Sequence, residues 1–263
     1  MKFKFNFKLK NILSWLVCLI PFILIYSRSL ADIIVVISCL YFLLIKIRNR
    51  DYCWINEPWI KIGFIVYIWF LISSFFAYNP ELAFSRAIGW IRFLIFIAAL
   101  KYLFLVDNYW KKKLLLTVTA TLIYILIFSL SELFFIINKI LANDYSFHYG
   151  YLRLKGPIEQ GGKSAFILSV FLYPVLFGLL NEKKILFLKK NLILILIFLI
   201  SLTCIFLSGH RFSNFILLLS STIVFIFLLK NKKELFYKLF FSLVAVTILI
   251  LITYPQQFER IIK

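Results

Sequence analysis

Two polar stretches in an otherwise apolar chain hold the side chains that could bind an anion or move a proton. The first, "FLSGHRFSNF" at 206–215, sets His210 and Arg211 beside a Ser-Gly pair between two long apolar runs. An arginine in the first turn of a helix adds a bidentate donor to backbone N–H groups that already favour an anion. The stretch therefore predicts a phosphate site at Arg211, with His210 as a candidate base. The alternative is a turn whose two cations simply lie at the level of the lipid headgroups.

The second stretch, "NDYSFHYGYLRLKGPIEQGGK" at 143–163, holds four of the eight glycines of the chain. Glycine lets a backbone turn sharply and approach a ligand closely. Arg153 and Lys155 lie in this stretch and are candidate phosphate ligands. Lipid headgroups would attract the same side chains, so both interpretations stay open at this point.

Two further arginines, Arg86 and Arg92, lie in an apolar run upstream. Arg92 is about 15 Å along its predicted helix, near mid-bilayer, where an unpaired charge costs at least about 2.5 kcal/mol. It should therefore face a partner or a polar cavity. Arg86 is nearer the surface, where snorkelling is the simpler role. Glu132 could pair with one of these arginines or act as an acid or base, and Arg28 and Asp32, at i and i+4, could neutralise each other.

These side chains need a scaffold, and the composition identifies it as membrane-embedded. Of the 263 residues, 63% are hydrophobic and 19% aromatic, and the mean hydropathy is +0.97, which no soluble domain could carry without aggregating. The net charge of +19 does not indicate nucleic-acid binding, because the cations come in short clusters between apolar runs. Four scattered cysteines without a C-x-x-C pair predict neither a disulfide nor a metal site.

We predict an all-α fold, a polytopic integral membrane helical bundle with about nine transmembrane helices in a single transmembrane domain over 1–263. Continuous apolar runs of about 17–25 residues are typical of such helices. An outer loop at 138–162 separates the fifth helix from the sixth. The predicted helices lie near 11–27, 30–47, 60–77, 83–105, 114–137, 163–180, 185–207, 211–229 and 236–254.

Every second connection is basic, which predicts the topology. Five segments hold four Lys or Arg each, together 20 of the 30 cations, and the positive-inside rule places such segments in the cytoplasm. The N-terminus is therefore predicted to be cytoplasmic, and the turn before 211 to lie outside. The first apolar run could alternatively be a signal peptide cleaved after Ala31. The basic segments are 1–10, 46–61, 101–113, 181–191 and 230–238.

Three short stretches resemble the family of O-antigen ligases and O-antigen polymerases. "FLSGHRFSNFILLLSSTIVFIFLL" at 206–229 is similar to the small-Gly-x-Arg turn that opens a long helix in the family's shared domain. "RLKGPIEQGGKSAFIL" at 153–168 resembles its Arg-x-x-Gly outer segment, and "YNPELAFSRAIGWIRFLIF" at 78–96 an earlier outer turn and helix. Two features depart from the family pattern. His210 stands where a small hydroxyl residue is common, and "EQGG" at 159–162 replaces a Pro-Asn type of segment.

The resemblance implies a multi-pass glycosyltransferase of the bacterial inner membrane that uses no metal and no cofactor. Such an enzyme transfers a glycan from undecaprenyl diphosphate to an acceptor hydroxyl at the periplasmic face, on lipid A core for a ligase or on another glycan for a polymerase. Arg211 and Arg153 match family arginines, and with Lys155, Arg92 and Arg86 they would bind the diphosphate. The implied partners are the lipid-linked glycan, the glycan acceptor and membrane lipids, with no nucleic acid.

The resemblance also bears on the C-terminal end. Family members continue beyond a helix like 236–254 into a large periplasmic loop with a candidate catalytic histidine, so we expect the base beyond residue 263 and the chain to be a truncated or split member. The alternatives are an inactive assembly subunit and a polyprenyl-glycan transporter or other permease. A transporter should show paired halves with broken helices near the midplane, and the sequence shows no such pair.

Overall fold

The computed structural model describes residues 7–141, 154, 156–157, 163–181 and 187–231, with 237, 239–241, 243–245 and 248. These residues are helical or lie in short connections, and there is no strand among them. Five helical segments are long and apolar enough to cross a membrane, which confirms an all-α chain suited to a multi-pass membrane protein. The number nine and the cytoplasmic N-terminus stay predictions. The five segments are Leu9–Tyr26, Arg28–Arg48, Pro58–Phe75, Pro80–Phe104 and Asn108–Phe135.

Most helix bounds agree with the apolar runs of the sequence to within a few residues. A short 3-10 helix at Cys53–Asn56 precedes the helix Pro58–Phe75, and a π-helical turn at Leu100–Phe104 follows the helix Ile91–Ala99. Of the last predicted helix, 236–254, only 237, 239–241, 243–245 and 248 are described, and these are helical. The α-helices are α1 Phe7–Tyr26, α2 Arg28–Arg48, α3 Pro58–Phe75, α4 Pro80–Gly89, α5 Ile91–Ala99, α6 Asn108–Leu141, α7 Lys163–Asn181, α8 Phe187–Leu207 and α9 Arg211–Asn231.

The span predicted near 83–105 is observed as one apolar helical segment, Pro80–Phe104, which is interrupted at Trp90. α4 begins at Pro80 because the side chain of Asn79 accepts a hydrogen bond from the N–H of Leu82 at 3.4 Å and caps the first turn. The helix then breaks at Trp90, whose N–H bonds three residues back to Ala87, and it resumes as α5. Arg92 consequently lies in the first turn of α5.

Helix α6 begins earlier than the predicted 114, since the lysines ahead of its apolar run are themselves good helix formers. Its 34 residues give a length of about 51 Å at 1.5 Å per residue. The hydrocarbon core of a bilayer is only about 30 Å thick. An α6 that crosses the membrane therefore extends beyond the hydrocarbon.

The contacts divide the chain into two compact units, Met1–Thr117 and Val118–Lys263, and the single domain stays a prediction. In the first unit α2 packs against α1 and α5, and α3 packs against α4 and α5. Its core centres on Phe42 and Trp54, whose rings meet edge to face at 5.3 Å. In the second unit α7 packs against α8 and α9, and the hydroxyls of Tyr173 and Ser221 hydrogen-bond between α7 and α9.

The connection between α2 and α3 is held by ion pairs with lysines from two of the predicted cytoplasmic segments, 46–61 and 101–113. Glu57 accepts a hydrogen bond from the Tyr102 phenol and pairs with the Lys101 ammonium at 3.3 Å. The Tyr102 bond, followed by Lys101, holds the pKa of the Glu57 carboxyl below its ordinary value. Asp51 pairs with Lys46 in the same way. These lysines therefore also hold the connection between α2 and α3 in place, besides indicating the predicted cytoplasmic side.

Candidate anion-binding site

The turn between α8 and α9 has the tight geometry that the Ser-Gly pair predicts. The N–H of Gly209 donates to the carbonyl oxygen of Phe206 at 3.0 Å and closes the last turn of α8. Gly209 has a φ of +62°, in the left-handed region that glycine enters without a Cβ penalty. α9 then begins at Arg211, so its first backbone N–H groups stand directly at the turn.

His210 caps the start of α9. Its ring Nδ1 lies 3.2 Å from the backbone N–H of Ser213 and 2.6 Å from the Ser213 hydroxyl. A backbone N–H can only donate, so Nδ1 is the acceptor and the neutral ring carries its proton on Nε2. In this arrangement neither ring nitrogen is available to accept a proton from a substrate. The geometry favours a capping role for His210 over the role of base that its chemistry suggests.

The first turns of α7 and α9 lie side by side. Phe166, the fourth residue of α7, stacks on Phe212, the second residue of α9, with ring centroids 5.9 Å apart and an interplanar angle of 18°. Each helix start carries the positive end of its helix dipole. Two such ends beside each other produce a larger positive potential than either helix alone.

The charged residues at these helix starts increase that potential. α7 begins with Lys163 and α9 with Arg211, and neither helix has an acidic residue in its first turn. A cation at a helix N-terminus is electrostatically unfavourable, because the dipole there already has the same sign. A bound anion would offset both the dipoles and the cations. The backbone of Arg211 is described, whereas its side chain lies outside the described part of the chain.

The residue Gly156, which follows Arg153 and Lys155 in the sequence, contacts α6 and the start of α7 in the second unit. The N–H of Gly156 donates to the Oε2 of Glu132, on α6, at 2.8 Å. Gly156 has a φ of +67°, and a Cβ added to it would lie 2.6 Å from the hydroxyl oxygen of Ser164, the second residue of α7. Only glycine fits this position. Glu132 therefore anchors the segment around Gly156, a role that the sequence did not suggest.

Arg92 has an ionic partner, as its predicted position near mid-bilayer requires. Its Nη2 lies 3.2 Å from the Oδ2 of Asp32 on α2, and both side chains are about one third exposed, 33% and 32%. The guanidinium also lies over the ring of Phe93, 5.0 Å from the centroid. The expected local pair of Asp32 with Arg28 is wrong, since Arg28 is the exposed first residue of α2 while Asp32 faces α5.

The predicted phosphate ligands fall into different parts of the molecule. Arg211 begins α9 in the second unit, whereas Arg86 and Arg92 belong to the first. Arg86 is exposed and forms no ion pair within the helices and connections described. Arg153 and Lys155 lie outside the described residues. A shared diphosphate role for these five residues stays a prediction.

Asn214 is a polar residue of this region that the sequence reasoning missed. It is only 3% exposed, and neither its Oδ1 nor its Nδ2 has a hydrogen-bond partner among the described residues. A buried amide without partners is rare and calls for an explanation such as a ligand. An asparagine four residues into an apolar helix was the available signal.

Comparison with models of protein families, with curated proteins and with solved structures gave no match in any of the three. The function therefore has to be argued from the geometry and from the three short stretches of the sequence.

Proposed function

We propose that this protein is a membrane glycosyltransferase of the O-antigen ligase type. It transfers a glycan from undecaprenyl diphosphate to a hydroxyl of lipid A core, at the periplasmic face of the bacterial inner membrane. The observation that carries the proposal is the pair of adjacent helix starts, joined by Phe166 and Phe212. Each start has a cation as its first residue and no acid in its first turn.

This arrangement suits a diphosphate leaving group. When the glycan leaves, negative charge develops on the diphosphate oxygen, and preorganised N–H donors and an arginine stabilise it without reorganisation. Helix N-termini bind phosphate through their N–H groups and dipole, and an arginine adds two parallel hydrogen bonds. Losing one such donor typically costs a factor of about 100 to 1,000 in rate.

The segment around Gly156 supports the same proposal. Its bond to Glu132 and its close approach to Ser164 hold the chain beside the first turn of α7. Arg153 and Lys155 flank the described residue Leu154, which is buried. In the sequence, Arg153 matches an arginine of the resembled family.

The proposal includes nine membrane-crossing helices and a cytoplasmic N-terminus, which the alternation of basic connections supports. With that topology, the turn at 208–210 and the start of α7 face the periplasm. An O-antigen polymerase would use the same diphosphate site, because its donor is the same and only the acceptor differs.

A transfer assay tests the proposal. The full chain in nanodiscs is supplied with a glycan linked to undecaprenyl diphosphate and with lipid A core, and the glycosylated acceptor is measured. We expect product from the wild type and about 100-fold less from Arg211→Gln. Lys112→Gln, an equal change of charge at an exposed position of α6, should transfer normally. Absence of product with the wild type would contradict a ligase, and glycan chains growing without lipid A core would identify a polymerase.

A further inference from the structure

The amide of Asn214 differs from the polar groups of its neighbour Ser213. Its neighbour Ser213 is fully buried as well, yet the Ser213 hydroxyl and N–H both bond to the ring of His210. Asn214 is 3% exposed, and both of its amide atoms lack a partner among the described residues. Its donor and its acceptor are therefore both available to something that is not part of the described protein.

The position of Asn214 directs this amide toward the candidate anion site. It is the fourth residue of α9, and side chains on a helix lean back toward its N-terminus. The amide therefore lies over the first turn, where the N–H groups of Arg211 and Phe212 have no acceptor within the described ranges. A ligand held at the helix start would lie within reach of both the backbone N–H groups and the amide.

The chemistry of the amide narrows the class of ligand. The oxygens of a diphosphate at neutral pH are acceptors, so they can satisfy the Nδ2–H donor and cannot satisfy the Oδ1 acceptor. A hydroxyl group can donate to Oδ1. The ligand that satisfies both atoms carries a hydroxyl close to a phosphoryl oxygen, which is the arrangement of a sugar attached to a diphosphate.

Building on the proposed function, we propose that Asn214 recognises the first sugar of the lipid-linked glycan donor. Its Nδ2–H donates to a phosphoryl oxygen, and its Oδ1 accepts from a hydroxyl of the sugar joined to the diphosphate. After transfer the diphosphate no longer carries that hydroxyl, so Oδ1 loses its partner. Asn214 thus makes the site bind the glycosylated donor more tightly than the sugar-free product, which favours product release.

Comparing a lipid diphosphate with and without a sugar distinguishes recognition of the sugar by Asn214 from binding of the phosphate alone. The full chain in nanodiscs is titrated with undecaprenyl diphosphate and with the same lipid carrying one sugar, and the ratio of the two affinities is measured. Asn214→Leu keeps the size of the side chain and removes both polar atoms. We expect it to lower that ratio about tenfold, the effect of one lost hydrogen bond. Asn214→Asp keeps an acceptor and repels phosphate, so it should weaken both ligands and preserve the preference.

A matched control is Ser201→Ala, at a fully buried hydroxyl on α8 that also has no hydrogen-bond partner in the described part of the chain. It should change neither affinity. If the wild type binds both lipids and the ratio is the same in Asn214→Leu, Asn214 has only a structural role and this inference is overturned, while the proposed function stands. If the wild type binds neither lipid, the proposed function is wrong and the inference falls with it. Asn214→Asp keeps the test decisive if the leucine variant does not fold.

Discussion

Replacing Gly156 with alanine tests whether the segment at 154–157 is held in place beside α7. Gly156 has a φ of +67°, and an added Cβ would lie 2.6 Å from the Oγ and 2.7 Å from the Cβ of Ser164. Real Cβ atoms do not approach other atoms so closely, so the segment or the start of α7 has to move. That movement lengthens the 2.8 Å bond from the Gly156 N–H to Glu132.

The expected loss of stability combines the cost of the left-handed backbone conformation with the weakening of the hydrogen bond to Glu132. A left-handed conformation costs a residue other than glycine about 1–2 kcal/mol, and the hydrogen bond to the charged carboxylate contributes about 1.5–3 kcal/mol. With part of that bond lost, we expect a local destabilisation of about 3 kcal/mol. This corresponds to a roughly hundredfold larger population of the undocked segment.

Limited trypsin digestion measures this population, since trypsin cleaves after Arg153 and Lys155. When redocking is fast relative to cleavage, the cleavage rate follows the open population, so Gly156→Ala should be cut about 100 times faster than the wild type. The control is Gly89→Ala, where an added Cβ meets nothing within 4 Å. Equal cleavage rates in the two alanine variants would refute the docking of this segment.

Two further predictions concern single contacts. Removing either member of the Asp32–Arg92 pair, which is about one third exposed, should cost about 1–2 kcal/mol once solvent screening is allowed for. The double variant Asp32→Asn with Arg92→Gln should lose less than the sum, and additive losses in thermal unfolding would show that the pair contributes nothing. His210→Ala should cost about 1 kcal/mol by removing the cap of α9, whereas His210→Asn should keep most of it. Identical melting temperatures for these two variants would contradict the capping role.

The sequence predicted the positions of helices whose length and apolar composition suit a bilayer. The run predicted at 60–77 is observed at Pro58–Phe75 and the run at 30–47 at Arg28–Arg48, because a helix suited to cross a membrane needs a long apolar stretch. The early start of α4 was missed although Asn79 followed by a proline is a cap signal in the sequence. The break at Trp90 had no comparable signal, since the apolar run continues through it.

The sequence predicted that certain charged residues need a partner, but it did not predict which residue that partner is. The predicted depth of Arg92 required a partner, and the structure supplies Asp32, 60 residues away, through the packing of α2 against α5. The local rule for i and i+4 pointed instead to Arg28. The sequence placed an anion site at Arg211. It could not show that α7 begins beside α9, because that depends on the stacking of Phe166 on Phe212.

The roles within the site depend on geometry that composition cannot reveal. A histidine next to an arginine at a turn suggests an acid or base, yet the Nδ1 of His210 is occupied by the N–H of Ser213. Asn214 was overlooked because its place in an apolar run, visible in the sequence, gains weight only once the amide is found to be buried without a partner among the described residues. In both cases one hydrogen-bond partner, present or absent, decides the role.

The affinity of the full chain for undecaprenyl diphosphate tests the central claim most directly. Binding in nanodiscs is measured for the wild type, for Arg211→Gln at the start of α9, and for Lys112→Gln on the exposed surface of α6. We predict that the wild type and Lys112→Gln bind alike and that Arg211→Gln binds at least about tenfold more weakly, the loss of one charge-assisted contact. Equal affinity in all three would contradict a diphosphate site at the start of α9.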